Sequence, residues 1–343
     1  MEYLNSKLIF LFFLFSFFLN LIFIKLNFFQ NKNISRQIQD IHLGNPSRLG
    51  GLTIVICFIT YLILYFDYYY NLIWYSLIII FPAILEDLRI NVKPIIRLIS
   101  IITASLLIIL SLNILPQFNF GLLNSVFNNP LFQIVFFTLA MTTVVNGQNI
   151  IDGTNGLSAF SALSIFSSLL YLGFHLNDGD LIQISTIMII LIIGFLFFNY
   201  PFGIIFLGDT GSYFLGTISS YFVIKTFAIY SELSAWSAVT ILFYPTLEVI
   251  FSYFRKIFNK KSPFYPDNLH LHLKIYYLIS KNKNKSRLFN SLVAPFLGII
   301  WLSPLALLPF SLQHPIWSIS IVFFLTLIYF FFYFSIPDPN SES

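Results

Sequence analysis

The chain has 343 residues, of which 57% are hydrophobic, 19% aromatic and only 9% charged, with a mean hydropathy of +0.84. A soluble domain carries about 25% charged residues, so a water-soluble globular protein is excluded and most of this chain must be solvated by lipid. Each charge at the centre of a membrane helix costs about 2.5 to 3.5 kcal/mol, which makes the placement of the 18 Lys and Arg and the 14 Asp and Glu informative.

A transmembrane helix takes about 20 mostly apolar residues. The chain breaks into about eleven such runs, near 4–26, 50–66, 69–85, 95–115, 131–146, 157–176, 181–199, 211–230, 235–254, 291–311 and 315–335. The pattern predicts an all-α polytopic integral membrane protein with about 11 (10–11) transmembrane helices in a single domain over 1–343. Little chain remains for a separate soluble domain. The first run has no small-residue cleavage site after it, so it reads as an anchor and not as a signal peptide. Turn residues such as Asn177-Asp178-Gly179-Asp180 mark the breaks. Cys57 is single and lies in an apolar run, which excludes a disulfide framework.

Basic residues orient the spans, because cytoplasmic loops carry the excess of Lys and Arg. With these runs, sixteen of the eighteen fall on one side: Lys25 to Arg48 after the first run, Arg89 to Arg97 after the third, and Arg255 to Arg287 after the ninth. Lys7 and Lys225 are the exceptions. The N-terminus is therefore expected outside, with cytoplasmic loops near 27–49, 86–94, 146–156, 200–210 and 255–290. The net charge of +4 then reads as a topology signal with contact to anionic lipid, and no nucleic-acid partner is expected.

Glu2, Asp67, Asp178, Asp180 and Glu232 fall in short outer turns, where water solvates them. Glu86, Asp87, Asp152 and Asp209 instead end apolar runs on the cytoplasmic side, where a helix cap or a polar cavity must hold them. Glu86 and Asp87 are adjacent and repel unless a cation, proton or metal compensates; Arg89, Lys93 and Arg97 lie close enough in sequence to do so. Asn146-Gly147-Gln148-Asn149-Ile150-Ile151-Asp152-Gly153-Thr154-Asn155-Gly156 concentrates amides and a carboxylate at a membrane boundary. Such oxygens suit hard cations and sugar hydroxyls. Asp209, in Phe206-Leu207-Gly208-Asp209, reads either as the N-cap of the eighth span or as part of an anion site with a metal at a helix start. The last cytoplasmic loop carries His270 and His272 among nine basic residues, a field that attracts a phosphorylated substrate. The i, i+2 spacing is too close for one helical face and suits an extended loop. Glu248, within the ninth run, reads equally as a functional group and as the partner of a neighbouring helix.

These segments, in this order, resemble the polyprenyl-phosphate N-acetylhexosamine-1-phosphate transferases of glycosyl transferase family 4. Pro46-Ser47-Arg48-Leu49-Gly50-Gly51 is similar to the family's early Pro and Gly-Gly motif, and Glu86-Asp87 to its paired acids. Asn146 to Gly156 is similar to its Asn-x-x-Asn-x-x-Asp-Gly-x-x-Gly motif, Phe206 to Asp209 to its Phe-x-Gly-Asp motif, and His270-Leu271-His272 to its histidine loop. The resemblance covers about 42–275. It departs from the family pattern at Glu86, where Asp is usual, at Asn155, where some members have Asp, and in a histidine loop without three consecutive His.

The resemblance implies transfer of an N-acetylhexosamine 1-phosphate from a UDP-sugar, UDP-N-acetylglucosamine or a relative, to polyprenyl (undecaprenyl) phosphate on the cytoplasmic face of the inner membrane, with release of UMP. It implies Mg2+, with Mn2+ as the alternative ion, held by Asp209 and Asn149. Asp87, Glu86 and Asp152 are the expected catalytic acids, with the first two on the lipid-phosphate side. Arg48, Asn146, Asn155, His270, His272, Arg89 and Lys93 are the expected substrate contacts. The shortened histidine loop tilts the expectation away from phospho-N-acetylmuramoyl-pentapeptide, the alternative substrate. A homodimer is compatible with this reading. A transporter or lipid flippase is the rival class, but transporters bind near the bilayer midplane within internal repeats. Here no half repeats, and the polar clusters gather at one face.

Overall fold

The computed structural model describes residues 6–26, 46–118, 123–127, 129–262, 267–280, 287–312 and 314–339. Among them the chain is helical, with no strand beyond an isolated parallel bridge between Ser47 and Ile205. In chain order the helices are α1 (Ser6–Leu26), α2 (Gly50–Tyr65), α3 (Tyr70–Asp87), α4 (Pro94–Leu110), α5 (Leu123–Phe127), α6 (Pro130–Ile150), α7 (Leu157–Leu176) and α8 (Gly179–Asn199). They continue with α9 (Gly208–Ile229), α10 (Ala235–Ile241), α11 (Phe243–Phe258), α12 (Leu271–Ser280), α13 (Arg287–Phe296), α14 (Gly298–Trp301), α15 (Ser303–Ser311) and α16 (Pro315–Ser335). Residues 27–45, 263–266 and 281–286 of the expected cytoplasmic loops, with His42 among them, lie outside the described residues.

Each of the eleven apolar runs is helical, but fewer helices meet the length and apolarity of a membrane span. Six do so alone, and up to eight if each of two bent pairs counts as one span. α2 and α4 are apolar but only 16 and 17 residues long. The run 235–254 is not one straight helix: α10 and α11 meet at 79°. Pro245 stands one turn past the break, where it has no N–H to give and its ring crowds the carbonyl of Ile241. The run 291–311 bends by 44° in the same manner after Pro295.

The core has two parts. In the first, α9 is buried along nearly its whole length and packs against α2, α3, α6 and α7. Its Ser and Thr residues, Thr210 excepted, return their hydroxyls to carbonyls one turn back, as with Thr217 to Tyr213 and Ser220 to Gly216. A small, internally satisfied surface of this kind lets helices approach closely without water. The second part gathers α11, α12, α13 and α16 around Tyr244, Leu271, Tyr276, Val293 and Tyr329. Phe160 of α7 packs against both. On the side expected to face outward, Lys225 is satisfied inside its helix bundle, donating to the Tyr69 hydroxyl at 2.6 Å and lying 4.4 Å over that ring.

Candidate active site

The site is built where the N-terminus of α9 meets the ends of α2, α3 and α6. Phe206 N–H donates to Ser47 O at 2.8 Å, and the first two N–H groups of α2, on Gly50 and Gly51, donate to the carbonyls of Phe206 and Leu207 at 2.9 Å each. The chain then turns into α9 through Gly208, at φ +74°. A Cβ there would lie 2.3 Å from Arg48 O and 2.6 Å from an Asp87 carboxylate oxygen, so only glycine has both the conformation and the room.

Asp209 is not the cap of α9, which was one of its two sequence readings. That task falls to Asp87 at the end of α3, whose two carboxylate oxygens accept from the N–H groups of Asp209 at 2.9 Å and Thr210 at 2.8 Å. A buried carboxylate on the first free N–H groups of a helix satisfies donors that otherwise have no partner and complements the helix dipole. The Asp209 side chain is thereby left for other work. Its oxygens receive Arg97 of α4, the Arg48 guanidinium at 3.5 Å, and the Asn149 amide at 3.2 Å, which also donates to Ser212 Oγ at 2.9 Å. Arg48 reaches Asp87 as well, at 3.6 Å.

The structure therefore joins Arg48, Asp87, Asn149 and Asp209, four residues drawn from a span of 161 positions. α6 runs on through Ile150, so Asn146 and Asn149 lie on its last turns and not in a loop as expected. Asn146 is one turn back, its amide on Thr142 O. Glu86 is half-buried and accepts from Val92 N–H at 2.9 Å, which closes the turn between α3 and α4.

The Asp152 carboxylate makes no hydrogen bond or ion pair among the described residues, while its N–H donates to Asn149 O at 3.1 Å. Its pKa is pushed well above the ordinary carboxylate value, chiefly by burial; Arg48 opposes the shift, and Asp209 and Asp87 add to it. Asp152 is therefore the acid of the group with unspent capacity.

Three expected contacts fall elsewhere. Arg89 occupies a left-handed position (φ +63°) in the turn after α3, and Lys93 caps α4; neither makes an ion pair among the described residues. The cation that reaches the acids is instead Arg97, one turn into α4, a position named in sequence only as a counter-charge. A lone Arg in an otherwise apolar helix was the available signal. Asn155 is buried: its N–H donates to Asn290 Oδ1 at 2.6 Å and its amide nitrogen to Pro201 O at 3.1 Å and Ser291 Oγ at 3.3 Å, while its Oδ1 has no partner among the described residues. With Gly156 N–H on Asn199 Oδ1 at 2.7 Å, it braces the turn that presents Asp152.

The histidine segment is a packed element, where an extended loop was expected. His270 precedes α12, His272 lies in its first turn, and both are buried. Their rings stack, 5.7 Å apart. His272 Nε2 sits against Gly153, so close that a Cβ on that glycine would lie 2.4 Å away, while its Nδ1 has no partner among the described residues. Burial pushes the His272 pKa down to about 3 from an ordinary 6.5. The unfolded chain then binds the extra proton between those two values, so this residue's contribution is full above pH 6.5 and is lost as the pH falls toward 3. From pH 6.5 to pH 5 the loss is about 2 kcal/mol at 1.36 kcal/mol per pH unit. Thermal unfolding in detergent is expected to show a larger drop in Tm between pH 7 and pH 5 for the wild type than for His272→Gln; equal drops would remove His272 from that account.

Fit to a divalent cation follows from the donor chemistry. Four acids, Glu86, Asp87, Asp152 and Asp209, gather at the site with two cations, Arg48 and Arg97, so carboxylate oxygens remain beyond those in ion pairs. Among the described residues no three of His, Cys, Asp and Glu form a ready-made metal cage. Mg2+ asks for none, because it takes one or two carboxylates and completes its shell with substrate phosphates and water. Asp209 with the Asn149 amide fits that demand.

Fold and site together define a multi-pass all-α membrane protein with an acid and arginine centre where helices from distant parts of the chain end together. A family model described as glycosyl transferase family 4 matches residues 69–227, a little under half of the chain. The undecaprenyl-phosphate alpha-N-acetylglucosaminyl 1-phosphate transferase of Thermotoga maritima is 30% identical over 138 residues, 40% of this chain and 40% of that protein. The probable undecaprenyl-phosphate N-acetylglucosaminyl 1-phosphate transferase of Bacillus subtilis is 34% identical over 98 residues, 28% of this chain and 27% of that protein. The chain thus spans less than half the length of either relative in these matches. The family match holds the paired acids, the Asn-rich turn and Asp209. Arg48 and the histidines lie outside it and are tied to it by the contacts above.

Proposed function

We propose that this protein transfers an N-acetylhexosamine 1-phosphate, most simply that of UDP-N-acetylglucosamine, to undecaprenyl phosphate or a related polyprenyl phosphate, releasing UMP and forming the lipid-linked sugar diphosphate that starts a cell-envelope polysaccharide. The observation that carries this reading is Asp209 bracketed by Asn149, Arg48 and Arg97 at a helix N-terminus. The names of the two relatives support the substrates. The basic residues support a site on the cytoplasmic face of the inner membrane, with the N-terminus outside.

The reaction joins two anions: a phosphate oxygen of the lipid attacks the β-phosphorus of the UDP-sugar, and the bond to the α-phosphate oxygen breaks as UMP leaves. Positioning and charge compensation are the main demands of phosphoryl transfer. Asp209 and Asn149 would hold Mg2+, whose bound charge offsets that of the diphosphate. Arg48 and Arg97 stand on either side of Asp209 and can turn to phosphate oxygens when substrate enters. Asp87, with both oxygens already accepting N–H donors, orients the α9 terminus and is poorly placed to take a proton. Little base is needed, because a phosphate with second pKa about 6 is largely ionised at neutral pH. Asp152, with Asn146 beside it on the Asn-rich segment, faces the sugar or uridine, and His272 the diphosphate.

The decisive experiment uses the full chain in detergent or membranes with UDP-N-acetylglucosamine, undecaprenyl phosphate and MgCl2. UMP release that stops on chelation is expected, with a lipid product whose mass identifies sugar and carrier together. No UMP from any of several UDP-N-acetylhexosamines would overturn the reading.

A further inference from the structure

Glu248 lies in α11, within the bent pair that forms a candidate span, and it is fully buried. Its carboxylate has two donors: Tyr329 of α16 gives its hydroxyl to Oε2 at 2.8 Å, and His270 Nδ1 lies 3.0 Å from Oε1. A carboxylate only accepts, so the Nδ1 of His270 carries its hydrogen toward Glu248, which fixes the ring's orientation and tautomer. The other ring nitrogen faces Asp267 Oδ1 at 3.7 Å; Asp267 is itself held by Arg255 at 3.2 Å and by Leu269 N–H at 3.1 Å. Both nitrogens of His270 are thus directed at carboxylates of the protein. His272, stacked on it, is the one that reaches the Asn-rich turn at Gly153.

We propose that Glu248 and Tyr329 are positioning residues for the histidine segment: they clamp His270, and His270 in turn sets His272 against the turn that carries Asp152. This deepens the transferase reading and rests on it. It divides two histidines that look equivalent in sequence into a held one and a presented one, and it gives the last helix a role in the site that no contact with substrate would reveal. α16 lies beyond the family match at 69–227, so this element would tune a site it does not line.

The test compares wild type with Glu248→Gln and Tyr329→Phe, each nearly isosteric, with thermal stability read in parallel. Loss of a partner that orients a functional His costs about tenfold to a hundredfold in metal sites, and a fall of that order in kcat/KM for the UDP-sugar is expected from Glu248→Gln, with the KM for polyprenyl phosphate unchanged. Combining Glu248→Gln with His272→Asn should cost little more than His272→Asn alone, since both act through one group. Multiplying effects, or equal changes in the constants for both substrates, would show general loosening and overturn the proposal. A second readout needs no turnover. Diethyl pyrocarbonate adducts mapped by peptide mass spectrometry should show His270 reacting slowly in the wild type beside the exposed His175 and His314, and several-fold faster in Glu248→Gln. An unchanged His270 rate would overturn the clamp even in an active enzyme. A changed rate in a protein that releases no UMP would keep the clamp and reject the transferase reading.

Discussion

Asp209→Asn is expected to lower UMP release by at least about a hundredfold, the cost of losing one preorganised electrostatic group in a reaction that develops charge. The fold should survive. The start of α9 is held by Asp87 through the N–H groups of Asp209 and Thr210, and an Asn side chain leaves those bonds in place. Arg48 keeps Asp87 as a partner, and Arg97 is partly exposed to water, so neither guanidinium is stranded in a dry interior. Size-exclusion profile and Tm should therefore match the wild type while Mg2+-dependent turnover disappears. Retained metal-dependent activity would remove Asp209 from the centre. A protein that loses both activity and fold would assign Asp209 to structure.

The second large effect is expected from Gly51→Ala, a change that adds one methyl group. α2 and α9 cross with backbones in contact at this position. A Cβ on Gly51 would lie 2.2 Å from Gly211 Cα, 2.4 Å from Gly211 N and 2.4 Å from Leu207 O. These are main-chain atoms, so no rotamer change relieves the overlap and the helices must part. Overpacking in a core costs about 1–3 kcal/mol even where side chains yield, and a backbone clash should reach or exceed the top of that range. Separation also pulls the Gly51 N–H from Leu207 O, the bond that ties Arg48 to the Gly208 turn. The expected result is a Tm several degrees lower with activity lost in parallel, measured on detergent-purified protein. An unchanged Tm would show that the crossing is looser than the contact implies. Arg48 and Asp209 are far apart in sequence, and this crossing is what makes them neighbours.

Much of the site was legible because membrane burial makes polar groups conspicuous. Asp87, Asn149, Asp152 and Asp209 stood out against apolar runs, and the structure brings Asp87, Asn149 and Asp209 into one hydrogen-bonded and ionic group. Asn155 stood out for the same reason. An amide at a membrane boundary announces that it needs partners without saying whether a substrate or the chain supplies them, and here Asn290, Ser291 and Pro201 do. Arg97 was named with Arg89 and Lys93 as a counter-charge to the paired acids; the pitch of α4 decides which of the three returns to Asp209. His270 and His272 looked alike until packing gave the first two carboxylates and the second a glycine turn.

Composition, and hydropathy over windows of a helix length, suffice for the solvent, the helical class and the separation of acids from apolar runs. The folded structure set the capping of α9 by Asp87 from another helix and the splitting of the two histidines. Each of those depends on contacts between segments tens to hundreds of residues apart, and local periodicity carries no record of which distant donor will meet which acceptor.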